Sequence, residues 1–580
     1  MSGRVWRRGD LRLLIVGTAF LLAWVGIGYR LFDLQGTRAV ALASVGFDQR
    51  IREEPIDARR GTIYDREGVE LAMTIDGWNV VVDPTMLDDP AGAAAVLAPF
   101  ADVPLSELVT RLVEGQASGK RYAEIAMRAN TAHANEIRAV VDDNGLVGVF
   151  FREQPLRVYP AGHIAAQVVG LTRYEDNSGI EGIEKTFDSE LQGEPGRLIV
   201  ERDPSGRVIP QGEILLEPAT PGSDVITTID REVQFAAEQG LRRAIQLTDA
   251  VGGSVVVMNR RTGAILAMVS WPGLDLNNRS EAVPEVLRNR AVADVYEPGS
   301  TLKVVTVAAA IEEGVVTPAT PIDTPNSLVI GDFEYEDHGS NPDWMSVADV
   351  VMRSSNVGTI EIQSRLGNEL HYEYLTAFGL GAPSGLDVAG ERHGQLNPTT
   401  RWTRTSGSSI AIGYAVGTTP LQMAAVYAAI ANDGVWVEPH LVREVIRADG
   451  QRILTKPRTR AVLSPDTAAT MRRMLGRVVE SDDGTGIRAR MSDYTSGGKT
   501  GTSQKFDVDL ERYSDDTIAS FIGMAPLDDP EIVVVVVLDT PKGTLDDGAD
   551  LSLGGASAAP AFAEITQNAL HQLGIAPDRE

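Results

Sequence analysis

VYEPGSTLKVVTVAAAIEEG, residues 295–314, breaks at Pro298-Gly299 and then reads as an apolar helix from Ser300 to Gly314. Leu302, Val304, Val305, Val307 and Ile311 go almost all round it, so the helix is expected to be buried. Ser300 and Lys303, at i and i+3, fall on one face at its N-terminal end. Burial and the positive end of the helix dipole both lower a lysine's pKa. A neutral amine beside a serine hydroxyl is a general base, and the serine becomes a nucleophile. The competing reading is a capping serine with a snorkelling lysine. A second S-x-x-K, Ser496-Gly497-Gly498-Lys499, shows how easily the pattern arises, and its glycines argue against a helix there.

Two further motifs follow downstream. Ser354-Ser355-Asn356 pairs a hydroxyl with a carboxamide, suited to relaying a proton and holding an amide; a polar loop or helix cap is the simpler reading. Lys499-Thr500-Gly501-Thr502 reads as a strand, so both threonine hydroxyls point to one face, where a carboxylate would fit. Gly501 there is expected to allow close approach of a substrate backbone. Only seven of the 53 basic residues are lysines, and two of those seven sit in these motifs. That fits positions where an amine must lose its proton, which arginine does not do.

Working outward, GGSVVVMNRRTGAILAMVS (252–270) reads as a hairpin around Asn259–Gly263. TIASFIGMA (517–525) and EIVVVVVLDT (531–540) read as an antiparallel pair, the valine run marking a central strand covered on both faces. The last helix opens at Ser557 and turns Phe562, Ile565, Ala569 and Leu573 inward. LEPATPGSD (216–224) reads as a linker between domains. Before it, ARRGTIYDREGVELA (58–72) reads as two short strands about a turn, Pro90 to about Asn144 as helices, and GIEGIEKTFDSEL (179–191) as helical. Leu13–Tyr29 carries no charge between Arg12 and Arg30 and rises about 26 Å as a helix, close to a membrane's hydrocarbon core. Arg4, Arg7, Arg8 and Arg12 against Asp10 place the N-terminus in the cytoplasm. A cleaved signal peptide fits less well, because the apolar run is too long and the A-x-A sites lie far beyond it.

Composition narrows the function. The 580 residues carry 53 Lys+Arg against 80 Asp+Glu, a net charge of −27, with no basic stripe, which argues against nucleic acid as partner. Without cysteine there is no disulfide, thiol nucleophile or iron–sulfur cluster, and the seven histidines lack metal-ligand spacing.

S-x-x-K, S-x-N and K-T-G, in this order, resemble the penicillin-interacting serine enzymes. With RRGTIYDREG (59–68), RVYPAGHIAAQVVG (157–170), GIEGIEKTFDSELQGEPG (179–196), NRAVADVYEPGSTLK (289–303), TPLQMAAVYAAIANDG (419–434) and GGKTGTSQK (497–505), the whole chain resembles a class B penicillin-binding protein of the cell-division type. The resemblance implies an α+β chain: a cytoplasmic tail 1–12, a transmembrane helix 13–32, a non-catalytic pedestal 33–220 of the dimerisation type, and a transpeptidase domain 221–575 with an antiparallel sheet flanked by helices. It further implies D,D-transpeptidation at the cytoplasmic membrane with no cofactor or metal, Ser300, Lys303, Ser354 and Asn356 being catalytic and Lys499, Thr500, Gly501 and Thr502 substrate-binding. The implied partners are stem peptides ending in D-Ala–D-Ala, β-lactams as covalent inhibitors, and division proteins including a membrane glycan polymerase. An elongation-type enzyme and a silent division scaffold are the alternatives; a class A enzyme lacks its glycosyltransferase here, and a β-lactamase would lack the anchor. One departure stands out: Gly413-Tyr414-Ala415 occupies a place where the family often has G-Y-G or G-Q-G.

Overall fold

The computed structural model describes residues 8–42, 51–174, 176–201, 215–339, 341–386, 388–507 and 512–579. Two compact units divide the chain: Met1–Ala58 with Glu194–Thr220, and Arg59–Gly193 with Pro221–Glu580.

The smaller unit holds the helix Arg8–Phe32, whose apolar side chains are exposed. The segment Asp10–Thr37 is long and apolar enough to cross a membrane. Arg4 and Arg7 of the expected cytoplasmic tail lie outside the described residues. The same unit contains an antiparallel sheet with Gly196–Glu201 between Ile51–Ile56 and Leu215–Glu217.

In the larger unit Ile63–Tyr64 and Glu70–Ile75 pair antiparallel. Asp65 closes their turn by accepting from the N–H groups of Glu67 and Val69. Ile63–Tyr64 also pairs in parallel with Asp224–Thr227, which in turn pairs with Val442–Ile446. Segments far apart in the chain thus share one six-stranded sheet. Below it, the buried Glu184 takes hydrogen bonds from Arg60 at 2.6 Å and Arg157 at 2.7 Å, and Arg60 also reaches Asp188 at 2.7 Å. The alanine-rich stretch departs from the expected run of helices. Pro90–Leu97, Leu105–Ser118 and Thr131–Asp143 are helical, but Ala123–Asn130 is a strand paired with Gly77–Val82. Pairing against a ready-made strand overrides alanine's helical preference.

A second sheet is five-stranded and antiparallel, formed by β1 (Gly252–Asn259), β2 (Ile265–Trp271), β3 (Gly497–Asp507), β4 (Arg512–Ala525) and β5 (Ile532–Asp539), in the order β2-β1-β5-β4-β3. The helices that matter here are α1 (Arg231–Thr248), α2 (Lys303–Glu312), α3 (Val347–Arg353), α4 (Asn356–Leu366), α5 (Pro420–Ala431), α6 (Pro465–Glu480) and α7 (Ala558–Gln572). The valine run of β5 is split between two cores. Val534, Val536 and Leu538 pack with Val233, Leu241, Phe562 and Ile565 of α1 and α7. Val533, Val535 and Val537 face the opposite core, with Met423 of α5 and Met474 of α6. A strand covered on both faces carries no polar alternation, which is why this one reads as continuous valine. Every residue of α5 is buried, so it forms the centre of the second core.

Candidate active site

The turn at Ser300 is tighter than a helix start. Gly299 takes φ +55° and donates its N–H to Gly413 O, and Gly299–Leu302 forms a 3₁₀ turn before α2 begins at Lys303. Tyr427 of α5 braces the turn by donating its hydroxyl to Thr301 O at 2.9 Å, deep in the core. Ser300 is partly accessible, and among the described residues its Oγ makes no hydrogen bond. Lys303 is wholly buried. Its Nζ donates to Ser354 O and Asn356 Oδ1, each at 2.7 Å, and reaches Ser354 Oγ at 3.4 Å. Burial brings its pKa down to about 7, and the charge of Asp337 holds it from falling further.

Ser354 sits between α3 and α4 at φ +62°, left-handed backbone that a serine adopts at a cost of about 1 kcal/mol. The conformation turns its hydroxyl toward Lys499 Nζ, which donates to Ser354 Oγ at 2.8 Å. Lys499 is also wholly buried, and its pKa lies well below the ordinary value because of burial and, second, the charge of Lys303. Among the described residues no carboxylate lies within ion-pairing distance of Lys499. The motif lies on β3 as expected. Thr502 Oγ1 accepts from Gly554 N, and Thr500 packs against Gly555, so both threonines face one segment. At Gly501 the close neighbour is the chain itself: a Cβ would meet Ser520 Oγ, Thr301 Cγ2 and Pro298 O. The glycine therefore lets β3 lie against the turn that carries Ser300. The other S-x-x-K match, Ser496–Lys499, straddles the start of β3 and forms no helix.

A buried lysine thus lies three residues after a partly accessible serine, beside an S-x-N turn and a K-T-G strand. The family model for the penicillin-binding protein transpeptidase domain matches residues 253–567, and that for the penicillin-binding protein dimerisation domain matches residues 55–227. The chain belongs to the penicillin-binding protein transpeptidases. Among similar proteins, PbpB of Mycolicibacterium smegmatis is 34% identical over 97% of this chain and 90% of its own length. The peptidoglycan D,D-transpeptidase FtsI of Escherichia coli is 30% identical over 97% and 91%. The solved structure of penicillin-binding protein 3 of Mycobacterium tuberculosis, complexed with aztreonam, superposes with a TM-score of 0.70 at 29% identity, covering 90% of this chain and 98% of that one.

In this penicillin-binding protein a further residue shapes the site. Asp337 Oδ1 accepts from the N–H groups of Asn356 and Val357, and Oδ2 accepts from Ser355 Oγ at 2.6 Å and Asn341 Nδ2 at 2.9 Å. It thereby caps α4 and fixes the turn that carries Ser354 and Asn356. Sequence reasoning missed it, because an aspartate nearly twenty residues upstream of a helix carries no local capping signal. The departure at Gly413–Ala415 also has a structural account. Ala415 takes φ +59°, where glycine is the usual occupant, and its N–H donates to the Glu297 carboxylate at 2.7 Å.

Proposed function

We propose that this class B penicillin-binding protein cross-links peptidoglycan through an acyl-enzyme on Ser300. The observation that carries the assignment is Lys303: a fully buried amine with its pKa near 7, one turn after Ser300 and held by Ser354 and Asn356. Neutral Lys303 takes the proton as Ser300 Oγ attacks the carbonyl of a D-Ala–D-Ala bond. The new C–O ester forms and the C–N bond breaks, with Ser354 Oγ passing a proton to the departing D-Ala amine. An amine from a second stem then attacks the ester. An amide C–N bond forms, the bond to Oγ breaks, and the amine's proton returns to Ser300. The Ser300 and Thr502 N–H groups serve as oxyanion donors, and Asn356 orients Lys303 and the substrate amide. Lys499, Thr500 and Thr502 take the terminal carboxylate as hydrogen-bond donors, while Gly501 keeps the strand against the nucleophile. Water in place of the amine gives carboxypeptidase activity, and β-lactams acylate Ser300 and stay, because their leaving group remains tethered.

The septal assignment is supported by the division-type phrase Asp294–Ser300 and by similarity to FtsI. Residues 33–220 act as the pedestal and 221–575 as the catalytic domain, anchored by 13–32 with the tail 1–12 cytoplasmic; the arginine excess before the span supports this topology. Division partners, a membrane glycan polymerase among them, are supported by the family resemblance.

The test is labelling of the full-length chain with a fluorescent penicillin, beside Ser300→Ala. A stable adduct on the wild type alone is expected. Released, hydrolysed drug without a persistent adduct would make the protein a β-lactamase, and neither adduct nor hydrolysis would leave only a scaffold.

A further inference from the structure

Transpeptidation brings two peptides to one serine, and they differ in charge. The donor ends in a carboxylate, whereas the acceptor offers a primary amine that is an ammonium ion at neutral pH. Around the nucleophile turn, Glu297 has the complementary character. It precedes Ser300 by one turn and is partly buried, and among the described residues no lysine, arginine or histidine lies within ion-pairing distance of it. Among the described residues its carboxylate accepts from Ala415 N at 2.7 Å and from Tyr513 Oη, 2.9 Å from Oε2 and 3.2 Å from Oε1. Lone pairs are left over on Oε2. Asp337, by contrast, is saturated by four donors.

The surroundings are aromatic. Tyr414 and Tyr513 meet edge to face with centroids 6.0 Å apart, and Phe506 meets Tyr513 at 5.4 Å. Phe506 and Tyr513 are 52% and 42% exposed, an outlay of ring surface on the rim of β3 and β4 that packing does not explain. An uncompensated carboxylate beside aromatic side chains suits an ammonium group. The strained backbone of Ala415 fits the same picture, since its left-handed turn aims an N–H that holds the carboxylate in place. Burial also raises the Glu297 pKa, as expected for a carboxylate waiting for a counter-ion.

We propose that Glu297, beside Tyr414 and Tyr513, is the subsite for the acceptor ammonium, whose extra proton passes to this carboxylate so that the second stem peptide reaches the Ser300 ester as the free amine. The inference rests on the transpeptidase reading above and extends it to the second substrate.

The full-length chain in detergent, acylated by a D-alanyl thioester, tests it through the partition of the acyl-enzyme between water and an added amine. Two acceptors are compared at neutral pH: a stem tripeptide bearing a free lysine ε-ammonium, and hydroxylamine, which is uncharged. In Glu297→Gln the aminolysis-to-hydrolysis ratio falls about tenfold for the ammonium acceptor and holds for hydroxylamine, while Glu297→Asp keeps the preference for the cation. Tyr513→Leu, which spares the charge, lowers the ammonium ratio about threefold. Labelling by fluorescent penicillin reports that each variant folds. Equal losses for both amines would reduce Glu297 to a latch between Ala415 and Tyr513 and overturn the inference, as would an unchanged ammonium ratio. If the wild type never acylates, the transpeptidase reading falls first and takes this one with it.

Discussion

Lys303 and Lys499 converge on one hydroxyl, that of Ser354, and neither has a carboxylate within ion-pairing distance among the described residues. Two ammonium groups at such a junction repel each other in a poorly solvated site, so each resists a proton while the other holds one. With neutral Lys303 as the proposed base, penicillin acylation is expected to rise with pH through a midpoint of about 7. Asp337 favours the charged form of Lys303. In Asp337→Asn the midpoint therefore moves to lower pH, while the loosened α4 turn lowers the limiting rate about tenfold. A stopped-flow pH profile checks both; an unmoved midpoint would reduce Asp337 to a cap. At this scale Ser300, Lys303, Ser354, Asn356 and Lys499 were all legible, because their chemistry demands fixed spacings within short motifs. Asp337 was not, since its hydrogen bonds close a loop that only the fold brings round.

Between elements, the critical contact is that of β3 with the nucleophile turn. Gly501→Ala puts a methyl group against Ser520, Thr301 and Pro298, where only small shifts can make room. The strand must then retreat from Ser300, with an expected destabilisation of about 1–3 kcal/mol and slower acylation, read by thermal unfolding and the penicillin acylation rate. Wild-type rates in this variant would show that the turn tolerates displacement. The sequence pattern exposed the hairpin of β1 and β2, the two-faced β5 and the final helix, where hydrophobic periodicity is strong. It failed at Ala123–Asn130, where alanine's propensity argues for a helix and pairing with Gly77–Val82 decides otherwise.

For the molecule as a whole, the buried Arg60–Glu184–Arg157 cluster joins distant parts of residues 59–193 to one another. Glu184→Ala leaves two buried guanidinium groups without their shared partner and is expected to cost about 3–5 kcal/mol, measured by chemical denaturation. A loss within experimental scatter would mean that water enters the cluster. Composition could not reveal that strands on either side of the Pro/Gly-rich segment before Asp224 belong to one sheet. The parallel pairing of Ile63–Tyr64 with Asp224–Thr227 has a consequence in time. A growing chain delivers these partners about 160 residues apart, which at ordinary rates of synthesis is a wait of roughly 10–30 s. Throughout that interval one edge of Ile63–Tyr64 has no mate and is open to any passing strand. The newborn chain is therefore open to misassembly at this edge well before Ser300 has been made.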